Sequence, residues 1–148
     1  GTQAERPVIP PKKQTPHYDV AAGIIWQGEP YHSNLLIAQR PPDGMLGGLW
    51  EFPGGKMSEG ESLEAALRRE MLEELDTDVE VHDRIFEVSH AYLDRTIRLH
   101  FYRCVLRGTP RPLIAQEMRW VPRGELRSLG FPPADEDLIT LLTTSASP

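Results

Sequence analysis

The chain has 148 residues, 39% hydrophobic and 26% charged, the make-up of one globular domain large enough for a real core. Its formal net charge is −6, and residues 56–80, with three basic and nine acidic side chains, account for all of it. This balance excludes sequence-independent nucleic-acid binding through a large basic patch; the single cysteine, Cys104, excludes an intrachain disulfide; and no apolar run reaches the eighteen or so residues of a membrane span.

Residues 1–16, with Pro7, Pro10, Pro11, Lys12, Lys13 and Pro16, read as an extended linker or tail ahead of a domain over 17–148. Gly1 stands where an initiator methionine would, which suggests a piece cut from something longer. No signal peptide is visible, and the expected location is the cytoplasm. The run from Val20 to Trp26 is too short for a confident helix and rich in β-formers, so 17–26 is expected as a buried strand. Leu35 to Ala38 is a second strand, with Gln27-Gly28-Glu29-Pro30 supplying the turn between them.

Arg40-Pro41-Pro42-Asp43-Gly44 and Gly47-Gly48 interrupt any strand, and the loop they form delivers Trp50 and Phe52 to a glycine turn at Gly54-Gly55. A helix follows over 63–75. Strand character returns at 79–81, 84–92 and 96–106, where Ile97, Leu99 and Phe101 alternate with Arg98, His100 and Tyr102, and again at 118–121. Cys104 lies in the apolar part of this pattern and is expected as a buried thiol. A helical turn is predicted over 124–129 and a terminal helix over 135–142, capped by Ala134 or Asp135. Strands, helix, strands, helix without regular βαβ alternation predict a mixed-sheet α/β sandwich.

The helix over 63–75 has an unusual charge pattern. At about 100° per residue Leu63, Ala66, Leu67 and Met71 form one apolar stripe, and Glu70 and Glu74 fall inside it with Glu73 at its margin. Carboxylates crowded on an inward face repel one another and lose hydration, and a divalent cation is the simplest remedy. Oxygen ligands alone favour Mg²⁺, with Mn²⁺ as a substitute. A solvated acidic helix, rotated slightly, is the plainer alternative.

The spacing speaks against that alternative. Gly55, five residues, Glu61, seven residues, Arg69-Glu70, two positions, then Glu73-Glu74 resembles the signature of the Nudix hydrolases. Asp76 and Thr77 stand where that family has a glycine and an apolar residue. Aspartate tolerates the left-handed conformation that such a glycine provides, so a modified helix end is expected, with no ligand lost.

The resemblance implies a Nudix-type α/β/α sandwich around a mixed β-sheet, and Mg²⁺-assisted hydrolysis of a nucleoside diphosphate linked to another moiety. Glu70, Glu73, Glu74 and the Gly54 carbonyl are the expected metal ligands, with Glu117 from a later loop as a further one. Glu70 is also the candidate base, Arg69 the residue that orients the carboxylates, and Lys56 a phosphate contact. For Arg69 and Lys56 an ordinary surface charge is the alternative reading.

The stretch Gln39 to Lys56 is also similar to the Nudix-like C-terminal domain of A/G-specific adenine glycosylases (MutY) and, more broadly, to MutT-type 8-oxo-dGTP diphosphatases. That likeness makes Arg40, Phe52, Arg95 and Asp135 substrate-binding candidates. Asp135 falls where MutT-type proteins read oxidised guanine with an asparagine; an ionised carboxylate there accepts hydrogen bonds but cannot donate one. Ser89-His90 resembles a loop with which MutY domains probe 8-oxoguanine. Two functions are therefore expected as alternatives: a diphosphatase acting on nucleotides such as 8-oxo-dGTP, or the lesion-recognition domain of a DNA glycosylase whose partner is damaged DNA.

Overall fold

The computed structural model describes residues 16–44, 46–115 and 117–144. Residues 1–15 of the expected linker lie outside them. Among the described residues, seven strands and two helices run in the order β1 (His17–Ile25), β2 (Leu35–Gln39), β3 (Trp50–Glu51), β4 (Gly54–Lys56), α1 (Leu63–Leu75), β5 (Val79–Ala91), β6 (Thr96–Leu106), β7 (Glu117–Val121) and α2 (Glu136–Thr144). Four strands form one sheet in the order β4-β1-β6-β5 and three form another in the order β3-β2-β7. The β1–β6 pair is parallel and the other pairs are antiparallel, so the expected mixed sheet is present. Among the described residues an isolated bridge, Trp26 to Leu35, joins the two sheets.

Both faces of β1 are covered, which is why its sequence is a continuous apolar run rather than an alternating one. Ala21 and Ile25 join Leu67, Met71 and Leu75 of α1, with Leu36 and Cys104, in one core. Ala22, Ile24 and Trp26 join Leu138, Ile139 and Leu142 of α2, with Phe52 and Phe101, in the other. Each fully buried Leu or Met contributes roughly 1.5–3 kcal/mol. Burial pushes the Cys104 thiol up to about 12, as expected for an inert core cysteine.

Helix α1 begins where Ser62 accepts a hydrogen bond from the Ala65 N–H at 3.0 Å, an N-cap. It ends at Asp76, which adopts the left-handed conformation at φ 59°, ψ 33° and donates its N–H to the Leu72 carbonyl. The expected modified helix end is thus present, and the Arg111 guanidinium holds the Asp76 carboxylate at 2.7 Å.

Three elements differ from expectation. The two strands predicted at 79–81 and 84–92 are one strand, β5, with register shifts between Val81 and Arg84 and between Arg84 and Phe86. Bulges of this kind scramble the alternation that sequence patterning relies on. The terminal helix begins at Glu136, because Pro133–Asp135 forms a separate 3₁₀ turn; the helical turn expected over 124–129 is present as a 3₁₀ turn over Arg123–Ser128. The loop and turn predicted around Trp50 and Gly54 contain two short strands, β3 and β4.

Candidate active site

Strand β4 lays Gly54 and Gly55 beside Ala22 and Ala21 of β1, in front of the inward face of α1. A Cβ on Gly54 would overlap the Ala21 carbonyl, and one on Gly55 would overlap the Glu70 carboxyl group. Backbone approach thus requires a glycine at position 54, while at position 55 a side chain would push the Glu70 carboxylate, which rests against the turn, out of its place. The Gly54 N–H donates to Glu74 Oε1 at 3.3 Å.

Glu70 and Glu74 are partly buried, whereas Glu73 is half exposed, as the helix wheel predicts. Burial, then the charges of Glu51 and Glu70, push the Glu74 carboxyl up to about 8. The Arg69 guanidinium reaches Glu61 at 2.6 Å, Glu70 at 3.0 Å and Glu73 at 3.3 Å, and donates to the Lys56 carbonyl at 3.0 Å. It thereby ties the helix to the turn and holds Glu61 down to about 2.

As the side chains stand, no three described His, Cys, Asp or Glu residues converge on one point. The donor set nonetheless fits a hard divalent cation. It is all oxygen, it is crowded against glycines that leave its carboxylates room, and its mutual repulsion is what a cation offsets.

The turn opens onto a cavity of about 250 Å³. Of the sequence-predicted residues, Arg40, Phe52, Gly54, Lys56 and Asp135 line it. Phe52 is 4% exposed, stacks on Phe131 at 5.2 Å and meets Phe101 edge-on, so it serves the core and the cavity wall together. Arg40 Nη1 bonds Glu51 Oε1 at 2.7 Å, and the Lys56 ammonium sits 4.3 Å from the centre of the Tyr18 ring. Asp135 is 6% exposed; burial, then Glu51, push its carboxyl up to about 7.

Two predicted residues stand differently. Arg95 pairs with Asp94 and lies over the ring of Tyr92, which itself lines the cavity. Glu117, on β7, pairs with Arg119 Nε at 2.7 Å.

A family model described as a NUDIX domain matches residues 21–141. The chain belongs to the Nudix family. It is 39% identical over 138 residues to a protein of Mycobacterium tuberculosis named putative 8-oxo-dGTP diphosphatase 2, covering 86% of this chain and 92% of that one. It is 34% identical over 122 residues to the CTP pyrophosphohydrolase of Escherichia coli K12, covering 82% and 87%. Its fold superposes on the solution structure of the E. coli ORF135 protein with a TM-score of 0.76 at 31% identity, over 87% of this chain and 90% of that one.

Within this Nudix fold the site also contains residues that sequence reasoning missed. Glu51 lines the cavity between the carboxylates of α1 and Asp135, and burial raises its carboxyl despite the pairing with Arg40. The available signal was a charge set between two aromatic residues, Trp50 and Phe52. Tyr92 is the other omission; its ring meets that of His90 at 4.7 Å, and both line the cavity.

Proposed function

We propose that this Nudix protein is a Mg²⁺-dependent diphosphatase that cleaves an oxidised purine nucleoside triphosphate, such as 8-oxo-dGTP, to the monophosphate and pyrophosphate. The observation that carries this reading is the set of crowded carboxylates on α1 facing a glycine turn that opens onto an aromatic-walled cavity. Names of relatives support it, since several are called 8-oxo-dGTP diphosphatase.

In this reading Glu70, Glu73, Glu74 and the Gly54 carbonyl hold Mg²⁺, or Mn²⁺ in its place, with Glu117 as a further oxygen donor from β7. The cation supplies charge compensation at the phosphates. Glu70 takes the proton of the attacking water, and the α–β anhydride bond breaks with the electron pair leaving on pyrophosphate. Arg69 orients the carboxylates through the contacts it already makes. Lys56 and Arg95 meet phosphates, Phe52 and Arg40 hold the base, and Asp135 reads its edge. We assign the protein to the cytoplasm, where nucleotide pools lie; among the described residues no helix is long and apolar enough to cross a membrane.

The test follows phosphorus-31 resonances of 8-oxo-dGTP with the protein and Mg²⁺. Growth of monophosphate and pyrophosphate signals, abolished by a chelator and by Glu73→Gln, is the expected result. No pyrophosphate above the variant's level rejects the activity.

The placement of His90 beside Tyr92 in the cavity wall favours a second reading, recognition of 8-oxoguanine in DNA by a glycosylase C-terminal domain. Titration with a duplex carrying 8-oxoguanine opposite adenine tests it. Affinity no greater than for an undamaged duplex removes it.

A further inference from the structure

Helix α1 ends under an electrostatic handicap. Its last turn carries Glu73 and Glu74, its cap is Asp76, and that turn holds no basic residue. Carboxylates at a helix C-terminus face the negative end of the helix dipole, which favours unwinding of the turn. This is the turn that bears two of the three carboxylates assigned to the cation.

The connection between β6 and β7 supplies what the helix lacks. The Arg111 N–H donates to the Leu75 carbonyl at 2.8 Å and the Leu113 N–H to the Glu74 carbonyl at 2.9 Å, so two of the last helix carbonyls are capped from outside. The Arg111 guanidinium brings the missing cation, with Nη2 2.7 Å and Nε 3.2 Å from one oxygen of Asp76. Neighbouring arginines are engaged elsewhere: Arg69, a turn earlier, spans Glu61, Glu70 and Glu73, while Arg68 and Arg107 face Asp78.

The residue type at position 76 fits this arrangement. A glycine adopts the left-handed conformation found there, φ 59°, without steric cost, but it has no side chain with which to hold the connection. Aspartate tolerates the conformation and provides the handle.

We propose that Arg111, acting through Asp76, is a positioning residue for the divalent-cation site: docking of the connection keeps the last turn of α1 wound and so holds Glu73 and Glu74 in place. The proposal rests on the reading that the carboxylates of α1 take a divalent cation. It adds to that site a residue 35 positions along the chain from Asp76 and outside the Nudix signature.

The side chains of Arg111 and Asp76 are 66% and 49% exposed, so each is neutralised without opening the core. Asp76→Asn keeps a residue type that tolerates the left-handed conformation, and Arg111→Gln removes the charge alone. The experiment is Mn²⁺ titration of the metal-free protein, followed by electron paramagnetic resonance with no nucleotide present. On charge alone, loss of the arginine strengthens cation binding and loss of the aspartate weakens it. The proposal predicts instead that both substitutions weaken it, each about threefold, with the double variant no weaker than either single one. The differences shrink in about 0.5 M salt, as for any exposed pair.

Amide hydrogen exchange gives a readout that needs no metal. In Arg111→Gln and in Asp76→Asn the Leu113 amide exchanges about threefold faster, while the Met71 amide inside α1 keeps its wild-type rate. Mn²⁺ binding by Arg111→Gln equal to or tighter than wild type, additive losses in the double variant, or an unchanged Leu113 amide overturns the proposal alone. Absence of Mn²⁺ binding by the wild type overturns the cation reading and the proposal with it.

Discussion

The glycine turn with α1 and the cavity wall beside it are built in opposite ways. The first is one unbroken stretch, Gly54 to Asp76, whose parts are fixed by local rules: an N-cap at Ser62, a left-handed end at Asp76, and 3.6-residue periodicity between them. The second is assembled from Val20, Arg40, Glu51, His90, Leu99 and Asp135, which meet only because β1 pairs with β6 and the 3₁₀ turn before α2 closes over them. The contrast teaches where each half of the function resides. In the proposed function, the chemistry rests on the local unit and the base choice on the long-range one.

That division predicts which variants damage which property. The largest effect is expected for Glu73→Gln, which lowers turnover on every nucleotide by about 10³-fold. Glu73 is half exposed, so the melting temperature stays unchanged in the same preparation. Gly55→Ala comes next: its Cβ would displace the Glu70 carboxylate, and a shift of about 1 Å at a reacting group lowers kcat on the order of 10²-fold. If either variant alters the ratio between bases instead, the division is broken.

On the wall side, Phe52→Ala leaves a hole between Phe101 and Phe131 and costs about 3–5 kcal/mol in urea unfolding. Phe52→Leu, measured in parallel, retains the fold and raises KM more than it lowers kcat.

The smallest effect sharpens the account of the local unit. Arg68, by a two-fold hydrogen bond, holds the Asp78 carboxyl down to about 2, aided by the Val79 N–H. Because the folded value is depressed, the stabilisation is present above the unfolded value near ~4 and is lost as pH falls toward 2. Asp78→Asn therefore loses less than about 1 kcal/mol at pH 7, and the difference from wild type vanishes in unfolding curves near pH 2.

The same contrast explains what the amino-acid sequence disclosed. Glu70 and Glu74 facing inward, Asp76 in the left-handed region, and the paired apolar faces of β1 were all legible, because each follows from spacing along one segment. Glu51 was not, since a two-residue strand shows no alternation and its direction is set by pairing with Ala38. Likewise the bulges in β5 are fixed by β6, and no local signal near His82 announces them. Asp135 was half legible: its place just before the last helix follows from the sequence, whereas its burial in the cavity wall depends on packing that no local pattern records.

The central claim is that the carboxylates of α1 face inward to hold a divalent cation. Binding of Mn²⁺, followed by electron paramagnetic resonance in the wild type and in Glu70→Gln and Glu74→Gln, tests it most directly. The account predicts saturable binding by the wild type that each substitution weakens by at least about tenfold. Equal Mn²⁺ affinity in all three proteins would contradict it.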